Sequence, residues 1–221
     1  MNYDLNFNLI WRHSGRLVDG LILSLQIAGL SIALAMTIGV VLALAYVDGN
    51  RFVRAAVAGY VEFIRNVPLL LLVYLVFYGL PTVVDIRYDA TTSFVATLSI
   101  YGGAYLVEVM RAGLQAVPQG LIEAGKAIGL TPLQRLVYVR LPTAFRIALP
   151  SLSNTYVSLF KDTSIASVLA VPELTYAAQW INVNTFRIVE VYAVVTPVYL
   201  ATGYAILFAL RLLERRYAIA R

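Results

Sequence analysis

The sequence predicts an all-α membrane protein: five transmembrane helices with a helix-turn-helix loop on the cytoplasmic side. Three observations predict it. Hydrophobic residues make up 60% of the 221 residues and charged residues 13%, whereas a soluble domain carries about 45–50% apolar and about 25% charged residues. Five apolar stretches each approach or exceed the roughly 20 residues a helix needs to cross a bilayer. The connection between the third and fourth stretches is long and strongly patterned. One domain over residues 1–221 is the expectation for this length.

The same composition excludes several function classes. The net charge is +5 and the pI is near 9.5, but the basic residues sit between apolar runs. They are not gathered with aromatic platforms on one polar element, so no nucleic acid partner is expected. No cysteine is present, which removes disulfides, thiolate metal sites and a cysteine nucleophile. The lone histidine, His13, lies in the polar N-terminal segment and offers neither a metal site nor a catalytic triad.

The elements follow in order. Residues 5–12 mix apolar and polar side chains and read as an interfacial elbow, with Trp11 at headgroup level. The expected spans are residues 17–47, 53–80, 93–109, 147–171 and 191–213. The first apolar run is too long for a cleavable signal. Five spans place the termini on opposite sides. With the C-terminus inside, 11 of the 17 Lys and Arg fall on the cytoplasmic side (Arg51, Arg54, Arg111, Lys126, Arg135, Arg140, Arg146, Arg211, Arg215, Arg216, Arg221) and 4 fall outside (Arg12, Arg16, Arg87, Arg187). That bias favours an outside N-terminus and a cytoplasmic C-terminus. Gly102 and Gly103, beside Ala104, mark a close helix crossing.

The loop over residues 118–142 is the most informative segment. Pro118 suits the start of a helix, and Gly129 suits its left-handed end. Thr131, Pro132 and Gln134 form a T-P-x-Q start for a second helix, which is expected to stop before Pro142. Ala124, Gly125, Ala127 and Gly129 give the first helix small residues that admit a close neighbour. Two readings fit this pattern: a rigid docking element, or an amphipathic loop lying on lipid headgroups. Gly120-x4-Gly125-Lys126 approaches a phosphate-binding loop, but Ala127 lacks the hydroxyl and no strand precedes it, so the chain is not expected to bind ATP itself.

Glu123-Ala124-Gly125-x3-Gly129-x9-Val139-x-Leu141-Pro142 resembles the E-A-A-x3-G-x9-I-x-L-P loop of ABC importer permeases. Gly125 replaces the second alanine and Val139 the isoleucine, while the spacing is intact. Residues 60–70, 108–113, 117–120, 160–164 and 171–174 are similar to the polar amino-acid permeases of the histidine/glutamine/glutamate type; Ile128 stands where that group usually has leucine. The resemblance implies the type I ABC importer permease fold, with 118–142 as the loop that couples to an ATPase through Glu123, Ala124, Gly125, Gly129 and Leu130. It also implies two copies of an ABC ATPase, which bind ATP and Mg²⁺. The other implied partners are a second permease subunit (the same chain or a homologue), an extracytoplasmic amino-acid-binding protein, and the lipid of a bacterial inner membrane. This chain would hold no cofactor and catalyse nothing.

Charges within the spans are the candidate pathway. Arg65 lies roughly 16 Å along its helix from Arg54, and Lys161 roughly 22 Å from Arg146, at 1.5 Å per residue. Buried charge of this kind is costly and marks functional positions. A zwitterionic amino acid needs a cation for its carboxylate and an anion for its ammonium. Arg65 or Lys161 supplies the first, and Glu62 or Asp162 the second. Thr163 and Ser164 can satisfy backbone groups freed where Pro68 and Pro150 break the helices. The structural alternative pairs Glu62 with Arg65 at i,i+3, and Lys161 with a neighbouring carboxylate or carbonyl, simply to neutralise charge. Glu108 and Arg111 read as a structural pair, and Glu173 and Trp180 lie in the outer loop. The rival function is an ATPase-independent channel or ion-coupled carrier for small polar solutes, which explains the spans but not the spaced loop.

Overall fold

The computed structural model describes residues 4–85 and 87–217, so Arg221 lies outside the described residues. Among these, every regular element is helical. A short α1 (Asn8–Trp11) turns into the long α2 (Ser14–Asp48). Asn50 then caps α3 (Arg51–Asn66), its Oδ1 accepting from the N–H groups of Phe52 and Val53. Helix α3 stops where the sequence requires: Val67, the residue before Pro68, is extended at φ −100° and ψ 131°. Helix α4 (Leu69–Tyr74) passes through a π-turn (Leu75–Gly79) into α5 (Leu80–Val84).

Asp89 caps α6 (Ala90–Gln115): its carboxylate accepts from the Thr92 N–H at 2.9 Å and the Thr92 hydroxyl at 2.6 Å. Those bonds hold the exposed Asp89 carboxyl below the usual range. After α7 (Gln119–Ala127) and α8 (Pro132–Arg135) come a π-turn (Leu136–Arg140) and α9 (Leu141–Asp162). A 3₁₀ segment (Thr163–Leu169), α10 (Leu174–Thr185) and α11 (Ile188–Tyr217) complete the chain.

Two prolines behave differently from expectation. Pro142 does not end the second loop helix. It follows the wide π-turn, in which Leu141 N–H reaches back to Leu136 O, and the helix runs on through it into α9. Pro150 sits inside α9 without breaking it, as buried and membrane helices permit when neighbouring groups take up the freed carbonyls. Three described helices are long and apolar enough to cross a membrane, Ser14–Asp48, Ala90–Gln115 and Ile188–Arg216, and a fourth if Arg51–Asn66 and Leu69–Val83 count as one broken span.

The chain divides into two compact units. One comprises Met1–Ile32, Leu69–Leu98 and Val157–Ile206. Its core gathers Ile10 and Leu17 with Leu174, Ala177, Ala178, Ile181, Val191 and Val195. Gly20 lets α2 meet the backbone at Glu173: a Cβ there would stand 2.9 Å from the Glu173 carbonyl carbon.

The other unit comprises Ala33–Pro68, Ser99–Tyr156 and Leu207–Arg221. Helices α2, α6 and α9 pack through Ala35, Ala43, Leu106, Met110, Leu114, Ala144, Ala148 and Leu152. Small residues set the spacing, as expected where lipid supplies no hydrophobic drive between helices. A Cβ on Gly39 would lie 2.6 Å from Leu106 Cβ, one on Gly103 2.7 Å from Ile38 Cγ2, and one on Gly113 2.8 Å from Ala144 O. The crossing expected at Gly103 is therefore present. Of the three long apolar helices α6 is the most buried and α11 the least. Leu200, Tyr204, Phe208 and Leu212 form an exposed stripe on α11, the surface that a lipid-facing helix presents.

The contact at Gly113 makes a sharp prediction. Gly113→Ala is expected to destabilise the protein by about 1–3 kcal/mol, because a rigid backbone oxygen occupies the new methyl's place. Gly59→Ala, where nothing lies within 4 Å, should leave stability unchanged or slightly raised. Thermal unfolding of the two purified variants in one detergent checks both.

Candidate functional site

The loop between α6 and α9 is built as a rigid body by its own sequence. Helix α7 closes with Gly129 at φ +84°. Gly129 N–H bonds Lys126 O at 3.0 Å and Leu130 N–H bonds Gly125 O at 3.0 Å, the paired bonds of a Schellman end. One residue later the Thr131 hydroxyl accepts from Gln134 N–H at 3.3 Å, while Gln134 Oε1 accepts from Thr131 N–H at 2.9 Å, a complete capping box. Arg135 Nη1 ties the turn together by donating to Leu130 O at 3.1 Å.

The expected coupling residues do not all share a face. Glu123, Ala124 and Gly129 are exposed and Leu130 is half-buried, whereas Gly125 is buried. A Cβ on Gly125 would touch Arg135 Cγ at 3.4 Å and Leu130 Cδ1 at 3.5 Å. Its smallness therefore serves the loop's own packing. The most exposed large hydrophobic side chains of the loop are Ile128 (78%), Tyr138 (70%) and Leu133 (69%).

Glu62 and Arg65 lie in a cavity of ≈ 520 Å³ with Tyr46, Asn66, Tyr105, Glu108 and Arg111 along its polar wall. Both are exposed. The i,i+3 pairing of Glu62 with Arg65 is not among the ion pairs of the described residues. The Arg65 guanidinium instead lies over the Tyr105 ring, 5.3 Å from its centroid. That ring is fixed in turn by the contact between the Tyr105 and Tyr101 hydroxyls at 3.1 Å. The second arginine is committed elsewhere. Arg111 makes two bonds to Glu108, at 3.1 and 2.8 Å, and a third to Gln115 Oε1 at 3.1 Å, so the expected structural pair is present.

Lys161, Asp162, Thr163 and Ser164 lie in the other compact unit, where α9 gives way to the 3₁₀ segment. Lys161 is exposed, and Asp162 and Ser164 are half-buried. Thr163 is fully buried, and its hydroxyl donates to Phe160 O at 2.7 Å. This satisfies a carbonyl freed at the helix end.

The family described as "Binding-protein-dependent transport system inner membrane component" matches residues 35–219. The chain belongs to this family. It is similar to the glutamine transport system permease protein GlnP of Escherichia coli (strain K12), 34% identical over 220 residues, covering 99% of this chain and 100% of the relative. It is similar also to the histidine/lysine/arginine/ornithine transport system permease protein HisQ of Salmonella typhimurium, 33% identical over 221 residues, with 96% and 97% covered. Among solved structures, a chain of an amino acid ABC transporter superposes with a TM-score of 0.86 at 29% identity, covering 97% of this chain and 100% of that one. The fold is that of a type I ABC importer permease.

Sequence reasoning missed several residues of this permease. Tyr46, Tyr105 and Asn66 enter the cavity wall with no local signal beyond their place on helices flanking the charged residues. Glu173, expected in the outer loop, is fully buried. It caps α10 by accepting from Thr175 N–H at 2.9 Å and Tyr176 N–H at 2.8 Å. The Tyr199 hydroxyl donates to it at 2.9 Å, and the Ser24 hydroxyl lies 3.2 Å away. An acid just before an apolar helix was the available signal. Trp180, also expected in the outer loop, carries the Arg16 guanidinium 3.7 Å over its ring and His13 at its edge.

Burial raises the Glu173 carboxyl above the ordinary glutamate range, outweighing the donors that favour its charged form. The folded state therefore holds the proton more tightly than the unfolded state. The stabilisation is greatest in acid and is lost as pH rises from the unfolded value through the raised folded one. Thermal unfolding between about pH 4 and pH 7 is expected to show that decline. Glu173→Gln, which cannot ionise, should flatten it.

Proposed function

We propose that this chain is the membrane-spanning permease subunit of an ATP-driven importer of amino acids in a bacterial inner membrane. The observation that carries the reading is the loop. Its Schellman end and capping box make it rigid, and it presents Glu123, Ala124, Ala127, Ile128 and Gly129 outward. A rigid element with an exposed apolar tip suits docking to a protein partner. The amphipathic-headgroup reading leaves the two interlocked caps without a purpose.

The partner is an ABC ATPase in two copies, which binds ATP and Mg²⁺ and does the chemistry. A second permease subunit, this chain again or a homologue, completes the pathway, and an extracytoplasmic binding protein delivers the substrate. Counting α9 with the three long apolar helices and the broken pair of α3 and α4–α5 gives five spans, and the Lys and Arg bias then favours an outside N-terminus and a cytoplasmic C-terminus. The relatives' names support an amino acid as cargo. Arg65, with no ion pair among the described residues, and Glu62 face an open cavity and fit a substrate carboxylate and ammonium respectively. Lys161, Asp162, Thr163 and Ser164 make up the second candidate segment of the pathway.

Two experiments test the reading. Ile128→Asp is expected to reduce the co-purifying ATPase about tenfold or more, the loss that accompanies a disrupted interface anchor. Gly125→Ala, whose methyl fits, should not. Retention of the ATPase by the Ile128 variant would remove the docking role. Arg65→Ala and Asp162→Asn are expected to change uptake or substrate range while the complex still assembles. Unchanged uptake and range in both would remove the pathway role.

A further inference from the structure

A second, smaller cavity of ≈ 440 Å³ lies beside the loop, lined by Asp48, Ile122, Pro132, Leu133, Leu136 and two arginines, Arg135 and Arg140. At its wall is an ion pair that joins residues far apart in the sequence. Arg140 Nη1 donates to both carboxylate oxygens of Asp48, at 2.7 and 2.9 Å, across 92 residues of sequence. Asp48 is the last residue of α2. Arg140 is the last residue of the π-turn that joins the loop to α9.

Both ends of this contact are fixed. The end of α2 is closed by Arg54, whose Nε and Nη2 donate to Tyr46 O at 3.1 Å and Val47 O at 3.2 Å. The other end is anchored by the capping box at Thr131 and by the bond from Arg135 to Leu130 O. Ile122 of α7, Val47 of α2 and Leu141 of α9 pack against one apolar cluster. Arg140 holds its pose although its Nε is buried with no acceptor among the described residues. An orphaned buried donor is costly, so the pose serves the grip on Asp48.

We infer that Asp48–Arg140 is a strut that carries movement of the loop to α2. The inference rests on the proposed function, because it needs an ATPase to drive the loop. Covalently the loop is joined only to α6 and α9; the ion pair adds α2 as a third connection. It holds the last residue of the π-turn, a wide and locally irregular stretch of helix of the kind found at functional hinges. Without the strut, α2 feels movement of the loop only through the apolar cluster it shares with α6, α7 and α9, which has no directional bond. Asp48 is about half-exposed, and pairs of this kind add little to stability. The contact therefore matters for direction of motion, and its loss leaves the fold intact.

The test measures substrate imported per ATP hydrolysed, in liposomes holding the whole transporter. Asp48→Asn is expected to lower that ratio about fivefold, the low end of allosteric couplings, with ATPase co-purification and ATP hydrolysis retained. Arg140→Lys, which keeps the charge, should retain most of the ratio. Exchanging the partners, Asp48→Arg with Arg140→Asp, should recover it relative to either single change. A wild-type ratio in Asp48→Asn would overturn the strut. So would loss of the ATPase from that variant, since the pair would then serve docking. Failure of the unchanged chain to hold any ATPase would contradict the proposed function itself.

Discussion

Every backbone N–H and C=O that enters a bilayer must find its partner within the protein, and this chain is organised by that demand. It answers with helices throughout the described residues. The interesting side chains stand where the helical ladder is interrupted. Val67 and Pro68 interrupt it just after Glu62 and Arg65. The 3₁₀ segment interrupts it just after Lys161 and Asp162, and Thr163 spends its hydroxyl repairing the break. The π-turn interrupts it at Arg140. Uninterrupted helix supplies the frame, and its crossings are set by Gly39, Gly103 and Gly113, where a side chain has no room.

The loop obeys the same rule from the other side of the interface. Outside the bilayer a helix is free to stop, and this loop stops and restarts within four residues. Gly129, Leu130, Thr131 and Gln134 satisfy groups at both ends through four local hydrogen bonds. The result is a stiff element whose outward surface is apolar at Ile128 and Leu133. Stiffness is what a force-transmitting element needs. The strut from Arg140 to Asp48 extends that stiff body to a third helix.

Much of this was legible in the sequence, for reasons that are local. Caps are written within four or five residues, so Gly129 and the Thr131–Gln134 box were readable in full. Composition alone disclosed the membrane. Less local facts were not readable. Helical spacing allows Glu62 to pair with Arg65, but Tyr105, forty residues on, offers the guanidinium a ring instead. Proline rules apply to isolated helices, so Pro150 and Pro142 were expected to break what a packed helix and a π-turn accommodate. Gly125 was assigned to the outward face by residue type, and the packing of Arg135 and Leu130 turns it inward. The pair Asp48–Arg140 has no sequence signature, because its partners meet only when α2 and the loop are folded together.

The central claim is that this chain moves substrate with energy borrowed from an ATPase held at the loop. Uptake of labelled amino acids by liposomes containing the purified chain, with and without its ATPase and internal ATP, tests it most directly. The account predicts uptake only when both ATPase and ATP are present. Sustained uptake by the chain alone, without ATP, would contradict it.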